Sequence, residues 1–272
     1  MKPIFRMGAA ALVMAGMLAA CQSVRTTQSG MVGVDRTQRM AVSAQAIEQA
    51  SSRQYAQVMA AADKKGQLNA NRAQFDRVRG IADRVIKQTS AFRPDAQGWK
   101  WEVNVLSSPE VNAWCMPGGK IAVYSGLIEK LKVSDDELAA VIGHEIAHAL
   151  REHSRERASE QAVAGIGISI LATVAGLGQV GQKGMEYAYQ GLLGLPNSRS
   201  HETEADRIGV ELAARAGFDP RAAISLWQKM GQVGGSEPPK FMSTHPPRAE
   251  RMQDLTHYSA RVMPLYQQAQ GQ

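Results

Sequence analysis

Cysteine is scarce in this chain: its 272 residues hold two, Cys21 and Cys115, which excludes a disulfide-held scaffold. The marks of a disordered or fibrous polypeptide are missing as well, since 44% hydrophobic and 21% charged residues with 25 Gly and 11 Pro make an ordinary folding composition. A chain of this length buries a sizeable core, as one large domain or two small ones, without metal or disulfide staples. Also lacking is a concentrated basic face. The formal charge of +6 comes from 31 basic and 25 acidic residues, and two of the basic ones, Lys2 and Arg6, fall in a leader. The remaining charges are interleaved, which argues against nucleic acid as the main partner because phosphate-dominated binding needs clustered positive charge.

The leader is residues 1–20: a basic start, a mostly apolar stretch from Met7 to Leu18, then Ala19 and Ala20. Such an order reads as an export signal. Leu18-Ala19-Ala20-Cys21 resembles the lipobox of bacterial lipoproteins, in which the cysteine is lipidated and acyl chains hold a soluble domain on a membrane. The alternative is an ordinary cleaved signal with Cys21 incidental. By the same resemblance, Gln22 in place of Asp favours the outer membrane. With Cys21 acylated, Cys115 has no intramolecular partner and is expected as a small buried hydrophobe.

Residues 21–36 are expected as the lipidated cysteine and a Ser-, Thr-, Gly- and Gln-rich tether, and 37–272 as one domain, with N-terminal helices over 37–93 and a core over 99–262. Apolar residues recur at three- and four-residue steps through Ile47, Tyr55, Val58 and Met59, then Phe75, Val78, Ile81 and Val85, which predicts two helices broken near Gly66. Strands are expected from Trp99 to Val105, from Val111 to Met116 and from Lys120 to Tyr124, the last two joined by Pro117-Gly118-Gly119. Ser134 and Glu137 have capping-box spacing ahead of a helix running from Asp135 to about Ser159. Residues 161–182 carry no charge and are long enough to cross a bilayer. Their five glycines favour a buried or lid segment instead. Further helices are expected over 200–217, 220–230 and 246–262.

The chemistry is carried by His144-Glu145-Ile146-Ala147-His148. Histidines at i and i+4 share one helical face and can reach one ion, while the glutamate between them can meet a metal-bound water, which is what zinc-assisted hydrolysis requires. A third protein ligand is needed, with a fourth position open. The metzincin pattern fails, because Arg151 and Ser154 stand where it needs Gly and His. His153 lies half a turn round the helix from His144 and is expected at the surface. Downstream, Glu202 and Asp206 are one turn apart, so Glu202 can bind the metal while Asp206 accepts the imidazole N–H of a ligand histidine. His201 is the rival third ligand. Glu204 lies off that face and is expected to be structural.

HEIAH with the downstream SR-x-x-E-x-x-A-D resembles the metallopeptidase family of HtpX-type proteases and CAAX prenyl endopeptidases. With the lipobox, the chain is similar to its branch of periplasmic outer-membrane lipoprotein proteases of the LoiP type. The resemblance runs from about Trp101 to Leu255. It implies an α+β, mainly helical, zincin-like fold with a small antiparallel sheet or hairpin beside the active-site helix. It also implies one zinc per chain on His144, His148 and Glu202, with Glu145 as general base and Asp206 behind a ligand histidine. Asn112, Ala113 and Trp114 would form the edge strand that binds substrate backbone. His245, in Ser243-Thr244-His245-Pro246-Pro247, would either donate to the developing oxyanion or occupy the open metal position at rest, and Arg199 is a second candidate for the oxyanion. The substrates implied are unfolded or misassembled envelope proteins. A lipid-anchored chaperone or scaffold with latent proteolysis is the reading from another class, and a protease spanning the bilayer through residues 161–182 is a third.

Overall fold

The computed structural model of the chain describes residues 22–174, 197–233 and 239–271, and side-chain caps mark where four of its helices begin. Ser43 accepts from the Ala46 N–H at the start of α1, Ala44–Lys64. Asn71 caps α2, Arg72–Ile86, through the Gln74 N–H. After the short α3, Ser125–Leu131, the expected capping box opens α4, Asp135–Leu150: Ser134 N–H donates to Glu137 Oε2 at 2.8 Å and Glu137 N–H to Ser134 Oγ at 3.2 Å. Three acids in its first turn complement the helix dipole. α5 is His153–Val174, and Ser198 caps α6, Arg199–Arg215. α7 is Ala222–Gln232, α8 is Lys240–Thr244 and α9 is Ala249–Gln270.

The fold class is as expected, α+β and mainly helical, with α4 at its centre packed by α6, α2, α7 and the sheet. Leu138, Ile142 and Ile146 are at most 1% exposed, and each such burial contributes about 1.5–3 kcal/mol. Because α4 is buried on every side, its two histidines sit in the core and not on a rim. The sheet has the order β3-β5-β4, with β3 Glu102–Leu106, β4 Ala113–Met116 and β5 Lys120–Tyr124. The expected antiparallel hairpin is β4–β5, turned by Gly118 and Gly119 at φ 82° and 80°. β3 adds to it in parallel, with Glu102 opposite Lys120. Trp99 and Trp101, expected in that strand, stack on each other ahead of it.

The structure departs from the sequence expectation in two places. The supposed tether is ordered structure: β1, Gln22–Val24, pairs antiparallel with β2, Gln38–Met40, and Val32 and Val34 between them are buried in the main core. Composition misled, because polar Thr and Gln side chains in this arm bond to buried charges of the core. The helix expected from Asp135 to Ser159 breaks at Arg151 and Glu152. Glu152 has φ 51°, held there by Arg93 Nη1 at 2.6 Å and Arg155 Nη1 at 2.8 Å on its two carboxylate oxygens. No Gly, Pro or Asn marks that break.

Residues 1–21, with the export signal and Cys21, lie outside the described residues, as does the part of 161–182 beyond Val174. Among the described residues no helix is long and apolar enough to cross a membrane.

Candidate metal centre

His144 and His148 stand one turn apart on α4 with their Nε2 atoms 3.1 Å apart. Each ring's other nitrogen has a partner that fixes its proton. His144 Nδ1 lies 3.0 Å from Asp206 Oδ1, and Arg251 donates to both Asp206 oxygens at 2.7 Å. Burial works to raise the Asp206 carboxyl, but Arg251 and His144 outweigh it and hold it below the usual aspartate value. Asp206 is thus an ionised acceptor, His144 carries its proton on Nδ1, and its Nε2 lone pair faces inward.

His148 reaches the same state by a route the sequence reading missed. His153 is not at the surface: it is 0% exposed, because the break at Glu152 turns it back under α4. Its Nε2 lies 3.1 Å from Glu204 Oε2, and its Nδ1 lies 2.8 Å from His148 Nδ1. Burial pushes both imidazoles well below the ordinary histidine value, so both are neutral. Glu204 can only accept, so His153 donates from Nε2, its Nδ1 accepts the His148 Nδ1–H, and the His148 Nε2 lone pair faces its neighbour.

Glu202, on α6, completes the group, with its oxygens 3.6 Å from His144 Nε2 and 3.4 Å from His148 Nε2. Burial works to raise its carboxyl, but His245 and His148 hold it well below the usual glutamate value. Arg251 Nη1 lies 2.8 Å from Glu202 Oε2, with the guanidinium stacked 4.0 Å over Trp227. The fourth member is His245, whose Nδ1 lies 2.9 Å from Glu202 Oε1 and 3.2 Å from His144 Nε2. These four residues offer ligand atoms all within 4.8 Å of one another. Two imidazole lone pairs and a carboxylate converging in a buried space repel unless a cation stands among them, so the donor set fits a divalent N/O-liganded ion such as zinc.

His201, the rival third ligand, turns away, its Nε2 3.1 Å from Glu156 Oε2. Arg199 is exposed at the start of α6 and does not line the cleft over the ligand group; the guanidinium that does so is Arg157, which donates to Asn197 Oδ1. That cleft, of about 330 Å³, runs between the ligand group and β4, where Asn112, Ala113, Trp114 and Cys115 line it. Among the described residues β4 is one of the two outer strands of the sheet. Its Trp114 ring faces away, edge-on to Tyr55 at 6.0 Å. Cys115 is buried and free, and burial pushes its thiol well above the ordinary value, which leaves it inert. Glu145 also lines the cleft. Burial raises its carboxyl above the usual range, and Oε1 stands 3.3 Å from His245 Nε2 without a hydrogen bond.

Several known proteins are similar to this chain. Over 178 residues, 64% of this chain and 35% of the relative, it is 38% identical to the mitochondrial metalloendopeptidase OMA1 of Arabidopsis thaliana. The metalloprotease YcaL of Escherichia coli is 27% identical over 202 residues, 71% of this chain and 79% of YcaL. The beta-barrel assembly-enhancing protease of Yersinia pestis is 31% identical over 171 residues, 59% of this chain and 35% of that protein. The chain spans less than two thirds of the OMA1 relatives it matches, 35% of the plant protein and 56% of the one from Saccharomyces cerevisiae. Residues 72–259 match the profile of peptidase family M48, and that span holds His144, His148, Glu202, Asp206, His245 and Arg251 alike: the chain belongs to peptidase family M48.

Proposed function

We propose that the chain is a zinc-dependent endopeptidase of the bacterial cell envelope, with His144, His148 and Glu202 as the metal ligands and Glu145 as general base. One observation carries this reading: two imidazole lone pairs and an ionised carboxylate converge beside a buried glutamate at the edge of a sheet. Zinc held there supplies, when bound, Lewis acidity toward water and the scissile carbonyl. Glu145 accepts a proton from the attacking water and passes it to the leaving amine, so no covalent enzyme intermediate forms. The outer edge of β4, which pairs with no further strand among the described residues, holds an extended substrate by main-chain hydrogen bonds, which gives broad sequence selectivity and suits unfolded chains.

His245 serves at rest as a fourth ligand. Its Nδ1 among the other three donors supports this over a role at the oxyanion. Envelope proteins that are misfolded or misassembled are the substrate class; the name of the Yersinia pestis relative and the export signal support it. Attachment is through acylated Cys21, to the outer membrane. The chaperone reading makes the opposite prediction for one variant.

The test is metal analysis beside casein digestion for the chain from Gln22 to Gln272, with and without chelator, and for Glu145→Gln. We expect one zinc per chain, digestion abolished by chelator, and a Glu145→Gln protein that keeps zinc and loses turnover, because the amide keeps the shape but accepts no proton. Digestion at the parental rate by Glu145→Gln would overturn the mechanism. Full complementation of a deletion strain by the same variant would favour a scaffold.

A further inference from the structure

The outer side of His148 leads through a line of hydrogen bonds to the N-terminal arm, residues 22–40. Arg36, just ahead of β2, reaches between two buried carboxylates. Its Nε donates to Glu204 Oε1, and Nη2 lies 3.3 Å from Glu204 Oε2. Nη1 and Nη2 donate to the two oxygens of Glu156 at 2.6 Å and 2.9 Å. Glu204 Oε2 also accepts from Arg151 Nε at 2.8 Å and from His153 Nε2 at 3.1 Å, and His153 Nδ1 meets His148 Nδ1 at 2.8 Å.

Every proton on this line has one direction. Arg36 and Arg151 both donate to Glu204, whose oxygens accept, so His153 turns its Nε2–H to Glu204 and its Nδ1 accepts from His148. The arm is fastened at the same place: Gln38 donates to the Arg151 carbonyl at 2.7 Å and to Glu156 Oε2 at 2.6 Å, and Arg151 Nη2 returns a bond to the Arg36 carbonyl at 3.0 Å. His153, Glu156 and His201 are close enough to hold an ion of their own. Arg36 and Gln38 already occupy both oxygens of Glu156, and both nitrogens of His153 are engaged, so this cluster cradles a guanidinium and not a second metal.

We propose that Arg36 is a positioning residue of the metal centre: by holding Glu204 against His153 it locks His148 in the tautomer and rotamer whose Nε2 lone pair faces the ligand group. The N-terminal arm is then part of the metal site, although none of its residues touches the ion. This inference rests on His148 being a ligand, as proposed above.

The experiment measures zinc affinity by chelator competition in the full chain, with the visible spectrum of the cobalt-loaded protein as a report on ligand geometry. Outer partners of ligand histidines typically change metal affinity about 10–100-fold. Arg36→Ala is expected to weaken zinc within that range and to alter the cobalt spectrum, and His153→Leu to do the same. Because Arg36 acts through His153, the double variant is expected to bind no more weakly than His153→Leu alone. Parental zinc affinity in folded Arg36→Ala would overturn the proposal, and so would losses that add in full in the double variant, since a merely structural arm would act independently. Where Arg36→Ala does not fold, Arg36→Gln keeps bulk and a donor and faces the same two outcomes. A His148→Ala protein that holds zinc as the parent does would sink the ligand assignment instead, which separates the two failures.

Discussion

Gly143 and Gly209 lie back to back where α4 crosses α6. A Cβ on Gly143 would stand 2.8 Å from the Gly209 carbonyl oxygen, and one on Gly209 would stand 2.8 Å from the His144 amide nitrogen. Backbone meets backbone there, with no flexible side chain to yield. This crossing sets the distance between the helix that carries the two histidines and the helix that carries Glu202. Gly209→Ala must part the helices, and overpacking of this kind costs about 1–3 kcal/mol. For a chain of this size that lowers the melting temperature by roughly 2–4 °C per kcal/mol. Zinc affinity should fall in the same variant, since Glu202 moves with α6. A Gly209→Ala protein with parental melting and parental zinc affinity would show that the crossing has slack.

Arg251 is the cation that makes two buried acids compatible, since it contacts both Asp206 and Glu202 at 2.7–2.8 Å while only 5% exposed. Arg251→Leu leaves two carboxylates in one buried space without their counter-charge. Removing one partner of such a pair costs about 3–5 kcal/mol. We expect a metal-free protein destabilised on that scale in urea, part of which saturating zinc restores because the ion supplies the missing positive charge. An unchanged urea midpoint would contradict the pairing.

His245 shares the ligand group with His144, His148 and Glu202. Its removal is therefore expected to free the fourth position without costing the metal. His245→Ala should retain zinc and digest casein faster than the parent chain. Slower digestion with zinc retained would assign His245 to the oxyanion instead.

Acid sensitivity follows from Glu156. Burial works to raise its carboxyl, but Arg36, His201 and Gln38 outweigh it and leave it far below the unperturbed 4.5. A depressed carboxyl contributes stability that is fully present above the unfolded value and is lost as pH falls below about 4.5 toward the folded one. Melting temperature plotted from pH 6 to pH 3 should drop more steeply for the parent than for Glu156→Gln, which no longer binds that proton. Parallel curves would remove Glu156 from the account.

The parts of the site that follow helical periodicity were legible in the sequence. His144 and His148 share a face because they are four residues apart, and Asp206 lies one turn beyond Glu202; both relations survive any packing of the helices. The capping box at Ser134 and the hairpin ending in Gly118 and Gly119 were equally readable, since each is set by side chains within a few residues. What stayed hidden depends on distant partners. His153 faces the surface only on an unbroken helix, and the break at Glu152, whose carboxylate accepts from Arg93 some sixty residues earlier, turns it inward. Arg251 carries no local mark that separates it from Arg248. Arg199 stood beside the motif and proved to be solvent-exposed, whereas Arg157 came to the cleft from another helix. The parallel pairing of β3 with β5 required knowing which strand lies between the other two, and alternation of apolar residues does not specify that.

The strand that opens the arm begins at Gln22, the residue directly after Cys21, and its first pairing is with Met40. An acyl chain on that cysteine would therefore be joined to the catalytic body with no leash. On the anchoring proposed above, the reach of the domain would be set by this paired strand and not by a loose spacer.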